Sequence, residues 1–199
     1  ETPIDMTLAS AILYPGQTRG GDYKPHGGFY FADQQNNAMK VTFPLDAQLV
    51  KASRYIESGE VQYLFIFINS CGIMYRFDHL LTLAPAFQEI ADRLPEAKVD
   101  DSRTTEIDPP VDVNAGDVLA TAIGFEKTKN VSVDFGVYDL RQKNEISSDA
   151  SWAAQHSNDK ELAPYGVCWF DLLPAADSQT VKSLPAGDSV HGKTSDYCD

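Results

Sequence analysis

The stretch Tyr63-Leu64-Phe65-Ile66-Phe67-Ile68 places six apolar or aromatic residues in succession. Such a run is far too short to cross a bilayer and too continuous for a strand with one wet face. It predicts a strand buried on both faces, as in the middle of a sandwich. The flanking sequence repeats the theme. Residues 29–43, 48–56, 61–69 and 73–79 are rich in Val, Ile, Tyr and Phe, and turn residues break them at Asn36-Asn37, Ser58-Gly59 and Cys71-Gly72. That pattern is a meander of strands, and strands resume at 118–125 and 130–138. In the last of these, Val131, Val133, Phe135 and Val137 alternate with Ser132, Asp134, Gly136 and Tyr138, which predicts one core face and one wet face.

Three segments depart from the strand pattern. The first 28 residues are rich in Gly and Pro and read as loops around one short strand. Between Pro85 and Pro95, Phe87, Ile90, Ala91 and Leu94 recur at helical spacing, so a short helix is expected there. The acidic, proline-flanked residues 99–110 that follow read as a solvated excursion, giving an insertion at about 84–112. After Asp139 comes a carboxy-terminal extension, about 140–199, with a capped helical turn at 147–156 and an apolar patch at 166–173 expected to pack on the body. With 199 residues and no internal repeat, the chain reads as a single all-β domain over 1–199.

Sixteen Lys and Arg against 29 Asp and Glu leave a net charge of -13, which argues against nucleic acid as a partner because phosphate contacts need cationic side chains. No stretch predicts membrane insertion. The opening Glu1 suggests removal of a leader or tag. The three cysteines, Cys71, Cys168 and Cys198, form no CxxC pair. In an oxidising compartment Cys168 with Cys198 is the favoured bridge, since it would staple the tail onto an apolar segment and leave Cys71 buried beside a strand. Three buried thiols in a reducing compartment are the alternative.

Four stretches, taken in order, resemble the lysostaphin/LytM-type zinc endopeptidases. His26-Gly27-Gly28-Phe29-Tyr30-Phe31 is similar to the H-x-G-x-D strand entry, in which His and Asp both bind zinc. Val41-Thr42-Phe43-Pro44-Leu45-Asp46-Ala47-Gln48-Leu49-Val50 resembles V-x-x-P-x-D-G-x-V. Tyr75-Arg76-Phe77-Asp78-His79-Leu80 resembles the Y-x-H-L element, with the Tyr farther from the His. Val113-Asn114-Ala115-Gly116-Asp117-Val118-Leu119-Ala120 resembles V-x-x-G-D-x-I-G, and residues 131–137 take the place of the H-x-H strand. The resemblance covers about residues 14–139 and implies a β-sandwich of the duplicated hybrid motif type.

The resemblance also implies a groove lined by His26, Tyr30, His79, Ser132 and Asp134, with His79 in the catalytic position and His26 and Asp134 as candidate metal ligands. The departures weigh on activity. Tyr30 stands where a zinc-binding Asp is expected, and a phenol with a pKa of about 10 is a poor ligand at neutral pH. Ser132 and Asp134 stand where two imidazoles are expected; Asp134 is a possible substitute, but a Ser hydroxyl does not titrate near neutrality. The expectation is therefore a secreted or periplasmic module, without cofactor, that binds cell-wall glycopeptide, carbohydrate or an envelope protein in a degenerate peptidase groove. The alternative is a zinc metalloendopeptidase with an altered ligand set, acting on peptidoglycan peptides.

Overall fold

A computed structural model describes residues 1–157 and 161–198. Its strands are β1 (Ala11–Leu13), β2 (Gln17–Arg19), β3 (Asp22–Lys24), β4 (Gly27–Tyr30), β5 (Val41–Thr42), β6 (Ala47–Glu57), β7 (Glu60–Ile68), β8 (Ile73–Leu83), β9 (Thr105–Val113), β10 (Val118–Ile123) and β11 (Ser132–Asp139). Among the described residues three short α-helices accompany them: α1 (Pro85–Ala91), α2 (Ala150–Gln155) and α3 (Ala175–Ser183). The fold is all-β, with every strand pairing antiparallel.

The main sheet runs β1-β4-β11-β8-β7-β6-β9, so the apolar run in β7 lies between two long neighbours. Leu64 and Phe65 point to opposite faces and both are buried, as that run predicts. β8 pairs with β11 and β7 along its first part and with β10 near its end, and β10 in turn pairs with β5. Just past β5, Phe43 meets Phe67 of β7 at a ring-centroid distance of 5.1 Å and Phe87 of α1 at 5.3 Å. Strands that are not sheet neighbours thus pack through aromatic contacts into one core.

The helix expected after Pro85 forms as α1, with Pro85 in its first turn and Phe87, Ile90 and Ala91 buried. α2 is capped by the Asp149 carboxylate, which accepts from the backbone N–H of Ser151 and Trp152. The apolar patch at 166–173 packs as expected: Trp169 and Phe170 are buried, and the Trp169 ring lies 4.9 Å from Phe29 and 5.1 Å from Phe135. Among the described residues no helix is long and apolar enough to cross a membrane.

Four expectations need correction. The first 28 residues hold three short strands and the start of a fourth, because β2 and β3 close a hairpin over Gly20-Gly21 and β1 pairs with β4. The solvated excursion contributes β9, an edge strand whose residues are mostly exposed but whose backbone pairs with β6. Cys168 and Cys198 are bridged, but Cys71 is exposed, since it sits in the β7–β8 turn and not beside a buried strand. The face of β11 expected to be wet is largely covered: Ser132 is 5% exposed and Tyr138 fully buried, with the tail reaching Tyr138 through a bridge to Gly166.

Candidate functional site

Strand alternation and register bring the sequence-marked residues together on three adjacent strands. Asp134 of β11 lies opposite Gly28 of β4 on one side and Asp78 of β8 on the other, and Ser132 lies opposite Tyr30. His26 immediately precedes β4 and rests over Gly136, where an added Cβ would stand only 2.8 Å from the His26 Cβ. Glycine at 136 therefore makes room for the imidazole.

The Asp134 carboxylate is the centre of the cluster. Its Oδ2 lies 2.9 Å from His26 Nε2 and 3.6 Å from His79 Nε2. On its other side the His79 ring has Nδ1 at 3.5 Å from the Tyr55 hydroxyl and 3.9 Å from Glu57 Oε2, and it packs against Phe125 at 4.9 Å. Tyr55 donates to Asp78 Oδ1 at 2.7 Å, and Arg76 donates to Asp78 Oδ2 at 2.6 Å. Arg19 donates to the carbonyls of Tyr14 at 2.6 Å and His26 at 2.9 Å, tying the entry of β4 in place.

His79 reaches this position through a bulge. Between the pairs Phe65↔Phe77 and Tyr63↔Leu80, β8 carries one residue more than β7, and His79 takes φ of 60° in the left-handed region. The extra residue re-aims its side chain toward Asp134. The Asp78 Oδ1 atom steadies the bulge by accepting from the His79 backbone N–H at 2.9 Å.

Burial and charge oppose each other across the cluster. Burial disfavours the ionised Asp134, but His26, His79 and Arg19 outweigh it and hold the carboxyl well below its usual range. Burial lowers the His26 pKa and Arg76 lowers it further, against the raising effect of Asp134. We take His26 as neutral near pH 7 and Asp134 as ionised, because both shifts favour these states and a neutral imidazole donating from Nε2 satisfies the carboxylate. Burial also works against Arg76, yet Asp78 and Asp134 keep it charged, and burial followed by Asp78 raises the Tyr55 phenol so that it stays a donor.

A carboxylate between two imidazoles can orient them and store charge, but nucleophilic catalysis needs a further group. Among the described residues no Ser, Thr or Cys side chain donates a hydrogen bond to His26 or His79. A zinc fits poorly as well. Among the described residues no group of three or more His, Cys, Asp or Glu side chains is arranged to hold a metal ion. A metal-bound imidazole normally donates its other nitrogen to a partner that fixes its orientation, whereas the buried His26 Nδ1 has none among the described residues. Four open recesses of about 270 to 590 Å³ are lined by other residues, not by His26, His79 or Asp134.

The structure therefore joins His26, Asp134 and His79, sets a half-buried Tyr30 two residues along the same face of β4 from Gly28, and buries Ser132. Sequence reading missed Arg19, Tyr55, Arg76 and Asp78 as members of the network. A signal existed for two of them, since Arg76 and Asp78 sit at strand spacing beside His79. Comparison with protein-family models, curated proteins and solved structures gives no match to this chain.

Proposed function

We propose that this chain is a non-catalytic, secreted binding module that holds cell-wall glycopeptide at a degenerate, lysostaphin/LytM-like peptidase groove. One observation carries the reading: the Asp134 carboxylate, the acidic group best placed to ligate a metal or act as a base, is already committed to His26. The residues around it are tied to one another, with Tyr55 and Arg76 on Asp78 and Ser132 buried, so the cluster braces three strands. The Cys168–Cys198 bridge supports an oxidising, extracytoplasmic setting.

The test pairs metal analysis of protein purified without chelator with cosedimentation on purified peptidoglycan and an assay on glycine-rich peptides. Binding to peptidoglycan without stoichiometric zinc and without cleavage is the expected result. One zinc per chain together with turnover abolished by His26→Ala would overturn the reading in favour of the endopeptidase. Failure to cosediment would remove the glycopeptide.

A further inference from the structure

A second cluster lies away from His26 and Asp134, where the β2–β3 hairpin meets α2 and the carboxy-terminal tail. Its recess, about 270 Å³, is lined by Gln17, Tyr23, Trp152, His156, His191 and Asp196 among others. Tyr23, Trp152 and His156 pack their rings together. Tyr23 and His156 lie 3.9 Å apart between centroids, Trp152 is 4.6 Å from His156, and Tyr23 meets Trp152 edge-on at 5.9 Å. The tail is held against them by the Cys168–Cys198 bridge and by the Asp196 backbone N–H, which donates to the Gly16 carbonyl at 2.8 Å.

Two acceptors, Asp196 and Gln17, stand in a wall that also carries the His156 and His191 imidazoles, the latter with Nδ1 2.8 Å from Asp188 Oδ2. Asp196 Oδ2 accepts from Trp152 Nε1 at 2.6 Å and from the Tyr23 hydroxyl at 3.0 Å, so both ring donors are spent on one carboxylate. Gln17 is 4% exposed, and its Nε2 donates to the carbonyls of Gly192 at 3.0 Å and Thr194 at 2.9 Å. Those two bonds fix which way the amide faces and leave Oε1 buried with no hydrogen-bond partner among the described residues. A buried amide oxygen without a donor is unfavourable, and a ligand that brings an N–H to it relieves that cost. Aromatic rings, a carboxylate and an unfilled acceptor together favour a cation that carries hydrogens. The volume suits one small head group.

We propose that this recess binds a primary alkylammonium group, such as the end of a lysine side chain or a free alkylamine. Tyr23, Trp152 and His156 supply the aromatic wall, Asp196 the countercharge, and Gln17 Oε1 the acceptor. The site is independent of the glycopeptide reading and stands or falls separately from it.

Fluorescence titration of the intact, oxidised chain with n-butylammonium and with Nα-acetyl-lysine amide tests it, using 1-butanol and N-acetylglucosamine as neutral controls. The expected result is a saturable response to both amines, lost as a signal in Trp152→Phe. The amine affinity should be weakened at least tenfold in Asp196→Asn, whose amide oxygen still accepts from Trp152 and so preserves the fold. A response to butylammonium alone would assign free amines; a stronger response to the lysine amide would assign peptides. Equal response to 1-butanol or N-acetylglucosamine, unchanged amine affinity in Asp196→Asn, or no response to any probe would overturn it.

Discussion

His26 is a titratable side chain that the fold has taken out of water: it is 7% exposed, seated over Gly136 and bonded to Asp134. Burial and Arg76 set its folded pKa below the ordinary value of about 6.5. The unfolded chain therefore takes up a proton as pH falls past about 6.5, while the folded chain resists it. Stability from this residue is complete above that pH and is lost as pH drops toward the folded pKa. Asp134 acts in the same direction at more acidic pH, since its lowered pKa keeps a contribution that disappears only below the ordinary carboxylate range. Urea midpoints should hold level from pH 8 to 7 and decline from 6.5 to 5. His26→Gln should flatten that decline while costing about 1–3 kcal/mol at pH 8 through the disturbed buried hydrogen bond. A decline of equal steepness in the variant would assign the proton uptake elsewhere. Position 134 was readable from strand alternation, whereas positions 26 and 79 were marked only by the resemblance. Arg19 and Tyr55 were not: Arg19 bonds the backbone carbonyls of Tyr14 and His26 beside its own hairpin, and Tyr55 of β6 meets Asp78 of β8 only through the register across β7.

At the scale of the element, β8 shows how a local irregularity is invisible to composition. Its residues 73–79 read as an unbroken strand, yet the bulge at Asp78 and His79 places a histidine in the left-handed region, which costs a residue with a Cβ roughly 1–2 kcal/mol. Glycine normally weakens a strand relative to alanine, but here that order should reverse. Both His79→Gly and His79→Ala remove the imidazole from Asp134, so their difference isolates the backbone. Chemical denaturation should find His79→Gly the more stable of the two by about 1 kcal/mol. Alanine equal to or better than glycine would mean that His79 does not hold the bulge in that conformation. β9 illustrates the opposite limit. Its prolines and acidic residues read as excursion because they suit solvent, and the same features suit an edge strand, where Pro109 and Pro110 present no N–H to an outside chain.

Over the whole molecule, the extension after Asp139 is the part least interpretable from sequence and the part most consequential for cohesion. Its backbone runs along the sheet edge, where Ile12 N–H donates to the Pro185 carbonyl at 3.0 Å and Gly187 N–H donates to the Ile12 carbonyl at 2.7 Å. Its Trp169 enters the core between Phe29 of β4 and Phe135 of β11. An appendage would melt apart from the sheet, whereas a segment that covers an edge and fills the core should melt with it. The chain offers a clean way to tell these apart, because both of its tryptophans, Trp152 and Trp169, lie in the extension while nearly all strand structure lies outside it. Urea unfolding followed by tryptophan fluorescence should therefore coincide with unfolding followed by far-ultraviolet circular dichroism. Trp169→Ala should lower both midpoints together, by an amount equivalent to about 3–5 kcal/mol, with Trp152 still reporting on the tail. A fluorescence transition that moves alone, leaving the dichroism midpoint in place, would make the extension a separate cooperative unit docked on a self-sufficient sheet.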